Sequence, residues 1–183
     1  MKRIFLLFLF GLNMVCTVAV HAEKGDSEKP TNFEADKMDV DDVKQIRTLT
    51  GNVILTRGTM ILKADKMVLT EDPAGYQFAK LFAAPGKLAT FRQKRDGGAD
   101  LWMEGQAERI EYDSKSEVVK LISKAKMRRL EGSKSSDEVE GQFIAYDSRV
   151  EFFSVNNTAA GESKPGAGRV RGVFQPHSDQ KGK

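Results

Sequence analysis

Apolar and polar residues alternate over residues 49–56, a stretch that reads LTGNVILT. Leu49, Val53 and Leu55 fall on one side of an extended chain, and mostly polar residues fall on the other side. A period of two is typical of a β-strand with one buried face. An Arg-Gly turn follows, and a second alternating stretch begins at Met60. The pattern predicts a hairpin of two half-buried strands.

The apolar phase shifts by one residue inside several of these strands. After Leu62, the inward positions move to Met67 and Leu69. A change of phase within a strand is typical of a β-bulge or a bend. Similar shifts occur near Gly105 and Gly141. We therefore expect each bent strand to curve around a common interior.

Short motifs recur near the positions of the phase shifts. ADKM occurs at residues 35–38 and 64–67, and EGQ occurs at residues 104–106 and 140–142. Prolines and glycine-rich turns lie outside the alternating segments or at their ends, where a strand tolerates them. A repeated Asp beside a kink is more often a turn or edge residue than a metal ligand. The sequence predicts a nearly all-β chain of many short antiparallel strands.

Stacked strand repeats cover one another's apolar faces and leave unpaired strands at both ends. We expect these open edges at residues 31–36 and 169–174. Residues 23–176 have the length of one ordinary domain. Residues 177–183 form a polar tail, which we expect to be disordered.

The N-terminus has the features of a secretory signal peptide. Two basic residues precede an apolar run at residues 4–20, which ends in small residues. We predict cleavage after Ala22, so that residues 1–22 leave the mature protein. An uncleaved membrane anchor stays open, although the run is shorter than the span of about 20 residues that a bilayer needs. A lipid-modified Cys16 is a further alternative.

Removal of the signal peptide changes the composition that bears on function. The net charge falls from +3 to +1, because two basic residues leave and no acidic residue does. This balance gives no reason to expect nucleic-acid binding. The mature chain has no cysteine, and its one histidine, His177, lies in the tail, so it offers no Ser-His, Cys-His or His/Cys metal arrangement. We expect a protein that is not an enzyme and binds no cofactor or metal.

Inward positions of the bent strands predict the lining of an interior space. Periodicity alone favours an ordinary sandwich core as the alternative, and methionine suits both a deformable lining and a packed core. The predicted interior residues are Leu49, Val53, Leu55, Met60, Leu62, Met67, Leu69, Phe91, Met103, Ile110, Tyr112, Leu121, Met127, Ile144, Tyr146 and Phe153.

Three segments carry a resemblance to a known family. They are TGNVILTRGTMILKADKMVLT at residues 50–70, PGKLATFRQ at 85–93 and EGQAERIEYD at 104–113. In this order they resemble the LptA/OstA family of periplasmic lipopolysaccharide-transport proteins of Gram-negative bacteria. The resemblance runs over residues 30–155, with a weaker echo at 169–176.

The resemblance implies an open, twisted β-jelly roll of about sixteen antiparallel strands with a V-shaped section. It implies periplasmic localisation and head-to-tail self-association through edge strands. The implied partners are an inner-membrane-anchored OstA-like protein at the N-terminal edge and the N-terminal domain of the outer-membrane lipopolysaccharide translocon at the C-terminal edge. The implied cargo is lipopolysaccharide, whose acyl chains (lipid A) travel in a hydrophobic groove. Family lipid contacts fall on Thr31 and Phe33 of the first strand and on Phe91.

The predicted function is therefore a lipid conduit that bridges the two membranes. Burial of an acyl chain gains about 0.8 kcal/mol per CH₂ relative to water, or about 11 kcal/mol for fourteen carbons. A membrane offers a similar gain, so the groove removes the aqueous barrier without giving direction. We expect Phe91→Asp, or a charge at Val53, to block lipid binding in a folded protein. A membrane-anchored adaptor of the same system and a β-augmenting scaffold without lipid cargo stay open as alternatives.

Overall fold

The described residues form a single antiparallel sheet. The structure, a computed structural model, describes residues 25–98 and 100–176. The predicted signal peptide at 1–22 and the predicted tail at 177–183 lie outside the described residues. Twelve strands belong to the sheet, and all their pairings are antiparallel. The all-β prediction is confirmed.

A single 3₁₀ turn, Asp26–Glu28, precedes the strands. The strands are β1 (Thr31–Glu34), β2 (Lys37–Asp41), β3 (Ile46–Arg57), β4 (Met60–Glu71), β5 (Gln77–Phe82), β6 (Ala89–Lys94), β7 (Leu101–Ala107), β8 (Arg109–Asp113), β9 (Val118–Glu131), β10 (Lys134–Asp147), β11 (Phe152–Asn156) and β12 (Arg171–Phe174). The hairpin predicted from the first alternating stretch is the β3–β4 pair, with Arg57 opposite Met60.

Four strands, β3, β4, β9 and β10, are 12 to 14 residues long. The kinks predicted after Leu62 and near Gly141 lie in β4 and β10. Near Gly105 the chain is divided instead into two strands, β7 and β8. Gly51 and Asn52 of β3 interrupt the register with β4, and Ser123 and Lys124 of β9 interrupt the register with β10. All four residues have positive φ angles, between 47° and 81°. Two consecutive residues of this kind form a bulge that bends the strand. The neighbouring strand bends with it.

The bends divide the sheet into two half-sheets that share the four long strands. Half-sheet 1 contains β2, residues 46–50 of β3, 66–71 of β4, β5, β8, 118–122 of β9, 143–147 of β10, and β11. Half-sheet 2 contains β1, residues 53–57 of β3, 60–64 of β4, β6, β7, 125–131 of β9, 134–141 of β10, and β12. When each long strand is divided at its bend, the sheet has the sixteen segments that the resemblance implied. Two such layers joined by bent strands form a jelly roll.

The repeated ADKM motif marks the line of the bends. The backbone N–H of Asp36 donates to the carbonyl of Gly51 at 2.9 Å, and its carboxylate accepts from the Asn52 side chain at 3.0 Å. The carboxylate of Asp65, in the bend of β4, accepts the backbone N–H of Ala84 at 2.7 Å. That hydrogen bond holds the pKa of Asp65 below its usual value. Asp36 lies in the bend between β1 and β2, and Asp65 lies within β4 at its kink, so only Asp36 is a turn residue.

Replacement of Gly51 by alanine should lower the free energy of unfolding by about 2–4 kcal/mol. The φ of Gly51 is +81°, and an added Cβ would lie 2.2 Å from Oδ2 of Asp36, so Asp36 must leave its position in the bend. Gly86 is a matched control, because its φ is +80° and an added Cβ meets nothing within 4 Å. Urea unfolding of both variants separates the two effects. Equal losses would mean that the contact with Asp36 contributes nothing to the bend.

Candidate functional site

The predicted interior residues form one buried cluster between the half-sheets. The fifteen that are buried are Leu49, Val53, Leu55, Met60, Leu62, Met67, Leu69, Phe91, Met103, Ile110, Tyr112, Leu121, Met127, Ile144 and Tyr146. Phe33 and Phe153 are partly buried and pack against this cluster from β1 and β11. Thr31 is half-buried on β1. The structure therefore brings all the predicted residues to one core or to its two ends.

The core is packed, in contrast to the open trough expected from the resemblance. The ring of Phe91, in half-sheet 2, lies 6.1 Å from the ring of Tyr146, in half-sheet 1, with 54° between the ring planes. Phe91 is 1% exposed and Tyr146 is fully buried. An acyl chain that enters this core must therefore take the place of contacts between the half-sheets.

The core also contains small and medium residues that the sequence analysis did not name. They are Ala79, Leu81, Ala89, Ala107, Val119, Ala125 and Val139. Several follow the same alternation in short strands: β5 reads QFAKLF and buries its third and fifth residues. The signal was present in the sequence, but it becomes usable only when the bounds of these short strands are known.

The half-sheets meet again at the ends farthest from the bends, along a line that we call the mouth. The mouth consists of Arg57, Arg95 and Arg129 from half-sheet 2 and Tyr112, Glu151 and Phe153 from half-sheet 1. Nη1 of Arg57 donates to the hydroxyl oxygen of Tyr112 at 3.2 Å. Burial raises the pKa of Tyr112, although Arg57 opposes that effect. The phenol is therefore neutral at physiological pH and accepts the arginine hydrogen bond.

Two further contacts continue the mouth. Nη2 of Arg95, which follows β6, lies 2.5 Å from Oε2 of Glu151, which precedes β11. The guanidinium of Arg129 lies over the ring of Phe153, 5.4 Å from its centroid. Each contact joins one half-sheet to the other, so together they cover the core on the side opposite the bends.

The 3₁₀ turn at Asp26–Glu28 covers one end of the mouth. The carboxylate of Asp26 accepts hydrogen bonds from the backbone N–H of Thr59 at 2.7 Å, the Thr59 hydroxyl at 2.6 Å and the Gln93 amide at 3.2 Å. Nη2 of Arg57 donates to the carbonyl of Ser27. This segment was not predicted from the sequence, because a single Asp in a polar stretch carries no periodic signal.

Both ends of the sheet have open edges, as the sequence predicted. Within residues 25–98 and 100–176, β1 and β2 each pair only with β3, and β11 and β12 each pair only with β10. Of the nine large hydrophobic residues that are exposed in this described part, eight lie near these edges: Met38, Val40, Val43, Val150, Phe152, Val170, Val173 and Phe174. The ninth, Tyr76, lies in the turn between β4 and β5. Apolar side chains and unpaired strands therefore coincide at each end.

Within residues 25–98 and 100–176, no helix has the length and apolar character needed to span a bilayer.

A bent antiparallel sheet, folded over one apolar core, with an open strand edge at each end of its described residues, defines a β-jelly roll. Residues 32–152 match the family described as "LptA/(LptD N-terminal domain) LPS transport protein", and this chain belongs to that family. Its resemblance to the LptA/OstA family is thereby confirmed.

Individual relatives agree with the family assignment. The chain is 30% identical over 148 residues to the lipopolysaccharide export system protein LptA of Escherichia coli K12, covering 81% of this chain and 77% of that protein. It is 28% identical over 184 residues to the protein of the same name from Haemophilus influenzae, covering 100% of this chain and 99% of that protein.

A solved structure has the same fold. It is the crystal structure of LptH, described as the LptA-homologous periplasmic component of the conserved lipopolysaccharide transport device of Pseudomonas aeruginosa. The TM-score is 0.70 at 25% sequence identity, and the match covers 82% of this chain and 99% of that chain. The jelly-roll prediction is thus confirmed by an independent structure.

Proposed function

We propose that this chain is a periplasmic lipopolysaccharide-transport protein that carries acyl chains in its apolar core between the inner and outer membranes. The observation that carries the proposal is the continuous core between the half-sheets, which runs to an open edge at each end. Membership of the lipopolysaccharide-transport family supports the cargo. The names of the relatives, which are export and periplasmic transport proteins, support the compartment.

Lipid enters by replacing contacts between the half-sheets. The core side chains of the two half-sheets separate from one another, and each then contacts the acyl chains instead. Burial gains about 0.8 kcal/mol for each CH₂ relative to water, which offsets much of the separation for a chain in water. Relative to a membrane the exchange is close to neutral. The core contains four methionines, whose flexible side chains can repack around a lipid: Met60, Met67, Met103 and Met127. A fifth methionine of the described residues, Met38, is exposed.

The proposed role is non-enzymatic. The core is lined by aliphatic and aromatic side chains, which offer no group for covalent or acid–base chemistry. The inner and outer membranes have similar affinity for an acyl chain. The core therefore lowers the aqueous barrier between them, and the direction of transport comes from an energy-coupled partner. No cofactor is needed for this role.

The open edges are proposed as docking sites for partners. An inner-membrane-anchored OstA-like protein binds at β1 and β2, and the N-terminal domain of the outer-membrane lipopolysaccharide translocon binds at β11 and β12. Copies of this chain join head to tail by the same strand addition. The exposed apolar residues beside the edges support this arrangement, because each junction buries them.

Co-elution with lipopolysaccharide tests the proposed cargo. Purified mature protein is mixed with lipopolysaccharide below its aggregation range and separated by size exclusion. We expect lipid, quantified by its phosphate and fatty acids, to elute with the protein peak. A protein peak without lipid, from material with a native melting temperature, would contradict the transport function.

An assembly scaffold without lipid cargo is the second candidate, and the packed core favours it. A scaffold forms fibres or oligomers through its edges while its core stays dry. In the same experiment it predicts concentration-dependent oligomers that contain no lipid. Lipid in the oligomer fractions would exclude it.

A membrane-anchored adaptor differs from a free carrier in its N-terminus. We propose that residues 1–22 are removed as a signal peptide and that residues 23–176 form the working domain. The mass of the protein purified from cells decides between the two. A species that begins at Glu23 is expected, whereas retention of residues 4–20 would favour the adaptor.

A further inference from the structure

The three mouth arginines share a feature that the transport function does not explain. Nε of Arg57, of Arg95 and of Arg129 is buried and has no hydrogen-bond partner within residues 25–98 and 100–176. A buried donor without a partner is costly, and native structures contain few of them. Three such atoms therefore lie on one line between the core and solvent.

Each arginine occupies an inward position of the strand alternation. Arg57 follows Leu55 in β3, and Arg129 follows Met127 in β9, two residues on in each case. Arg95 follows Gln93 of β6 in the same way. Guanidinium groups thus stand where the apolar lining ends and the polar surface begins.

Arg57 has no acidic partner in the described part of the chain. Its guanidinium donates to the neutral hydroxyl of Tyr112 and to the backbone carbonyl of Ser27. The carboxylate of Asp26 lies at the same end of the mouth, but it accepts its hydrogen bonds from Thr59 and Gln93 and does not pair with Arg57. A half-buried guanidinium whose direct acceptors are neutral attracts a further anion.

Arg95 and Arg129 have carboxylates that occupy only one side of each guanidinium. Glu151 meets Nη2 of Arg95 at 2.5 Å, while its other oxygen, Oε1, is buried without a partner. Nη2 and Nε form one edge of the Arg95 guanidinium, so Glu151 takes one donor of that edge and leaves Nε unmet. Asp137 meets Nη1 of Arg129 at 3.3 Å, which lies on a different edge, and Nε of Arg129 is also unmet.

The edge of a guanidinium that carries Nε and one Nη donates two parallel hydrogen bonds. A phosphate accepts both, which makes this edge a specific phosphate-binding group. The mouth is also the place where an amphiphile must keep its headgroup while its chains lie in the core. The geometry therefore matches a ligand with acyl chains on one side and phosphate on the other.

We propose that Arg57, Arg95 and Arg129 bind the phosphate groups of an acylated, phosphorylated lipid whose chains enter the core at the mouth. Glu151 pairs with Arg95 and Asp137 pairs with Arg129 before lipid binds, and the lipid phosphates replace both carboxylates when it binds. The inference rests on the proposed transport function and adds the residues that recognise the headgroup.

A simple latch is the competing account of the same contacts. If Arg95 and Glu151 only hold the mouth closed, Arg95→Gln and Glu151→Gln both open it and change lipid affinity in the same direction. If Arg95 binds phosphate and Glu151 competes for it, Arg95→Gln weakens binding and Glu151→Gln strengthens it. The signs of the two effects distinguish the accounts.

The experiment measures the affinity of full mature protein for two probes, lipid A with both phosphates and the same lipid A after dephosphorylation. The variants are Arg57→Gln, Arg95→Gln and Glu151→Gln. Arg92→Gln is the control, because Arg92 pairs with Glu104 on the outer face of half-sheet 2 and its loss changes the charge equally. Melting temperatures of all variants verify that each is folded.

We expect Arg57→Gln and Arg95→Gln each to weaken binding of phosphorylated lipid A about tenfold. Affinity for the dephosphorylated lipid should change less than about twofold, Glu151→Gln should tighten binding of the phosphorylated lipid, and Arg92→Gln should behave as wild type. The proposal is overturned if Arg95→Gln and Glu151→Gln act in the same direction, or if both lipids lose affinity equally.

Further outcomes distinguish headgroup binding from binding of free phosphate and from failure of the transport function. Inorganic phosphate at millimolar concentration should not displace phosphorylated lipid A, and complete displacement would assign the arginines to free phosphate instead. If wild-type protein binds neither lipid, the transport function itself fails. If it binds both lipids equally well, transport stands and the headgroup assignment fails.

Discussion

Phe91→Asp is expected to prevent stable folding. Phe91 is 1% exposed, stands opposite Leu62 and Gly105 in the neighbouring strands, and contacts Tyr146 across the core. Loss of a buried Phe ring alone costs about 3–5 kcal/mol, and an unpaired buried carboxylate adds several more. A domain has a total stability of about 5–15 kcal/mol. The sum therefore removes most or all of it.

From the sequence we expected Phe91→Asp to lose lipid binding and to stay folded. The packed core changes that expectation to loss of the fold. Thr90→Asp is the matched control, because Thr90 is exposed on the opposite face of the same strand. Circular dichroism and urea unfolding should report a native-like Thr90→Asp protein and an unfolded or insoluble Phe91→Asp protein. A Phe91→Asp protein with a wild-type unfolding midpoint would contradict the packed core. The same reasoning applies to a charge at Val53, which is also 1% exposed.

Phe174→Lys is expected to weaken head-to-tail association by a factor of about ten or more. Phe174 lies on β12, an edge strand, and is 64% exposed in the isolated chain. Burial of a Phe side chain in a junction stabilises it by about 1.5–3 kcal/mol, and a lysine in its place must be desolvated. The stability of the single chain should be unchanged, because the side chain is exposed there. Analytical ultracentrifugation over a range of concentrations measures the association constant.

Tyr76→Lys is the control for the edge variant. Tyr76 is also an exposed aromatic residue, but it lies in the turn between β4 and β5, away from both edges. Its substitution should leave association unchanged. Equal weakening by both substitutions would place the junction elsewhere on the surface, and no weakening by either would argue against association through β12.

Much of the fold follows from the alternation of residues. Leu49, Val53 and Leu55 have the same parity in the alternation, and all three are buried. The phase shifts after Leu62 and near Gly141 are local signals, and they predicted the bends of β4 and β10. The bulges of β3 and β9 gave no phase shift, so they were not predicted, whereas the interior residues and the open edges were.

The mouth was not predictable, because its contacts join distant residues. Arg57 and Tyr112 are 55 residues apart, and Arg95 and Glu151 are 56 residues apart. Which strand ends meet depends on how the two half-sheets fold over each other. The sequence does show an arginine at an inward position after an apolar run, as at Arg129. Its contact residue, Phe153, becomes known only from the folded sheet.

The closed core was also beyond the sequence. Alternation identifies which side chains face inward, and it gives no information on the separation of the two layers. A packed sandwich and an open trough have the same inward residues. The contact between Phe91 and Tyr146 distinguishes the packed sandwich from the open trough.

The most direct test of lipid transport through this core is photo-crosslinking in cells. A photoreactive phenylalanine analogue of near-native size replaces Phe91 in one strain and Ile54 in another. Ile54 lies in β3 on the outer face, opposite Glu34 and Lys63 in the neighbouring strands. After irradiation, we predict lipopolysaccharide adducts at position 91 and none at position 54. Adducts at neither position, from folded protein in cells that make lipopolysaccharide, would contradict transport of lipid through the core.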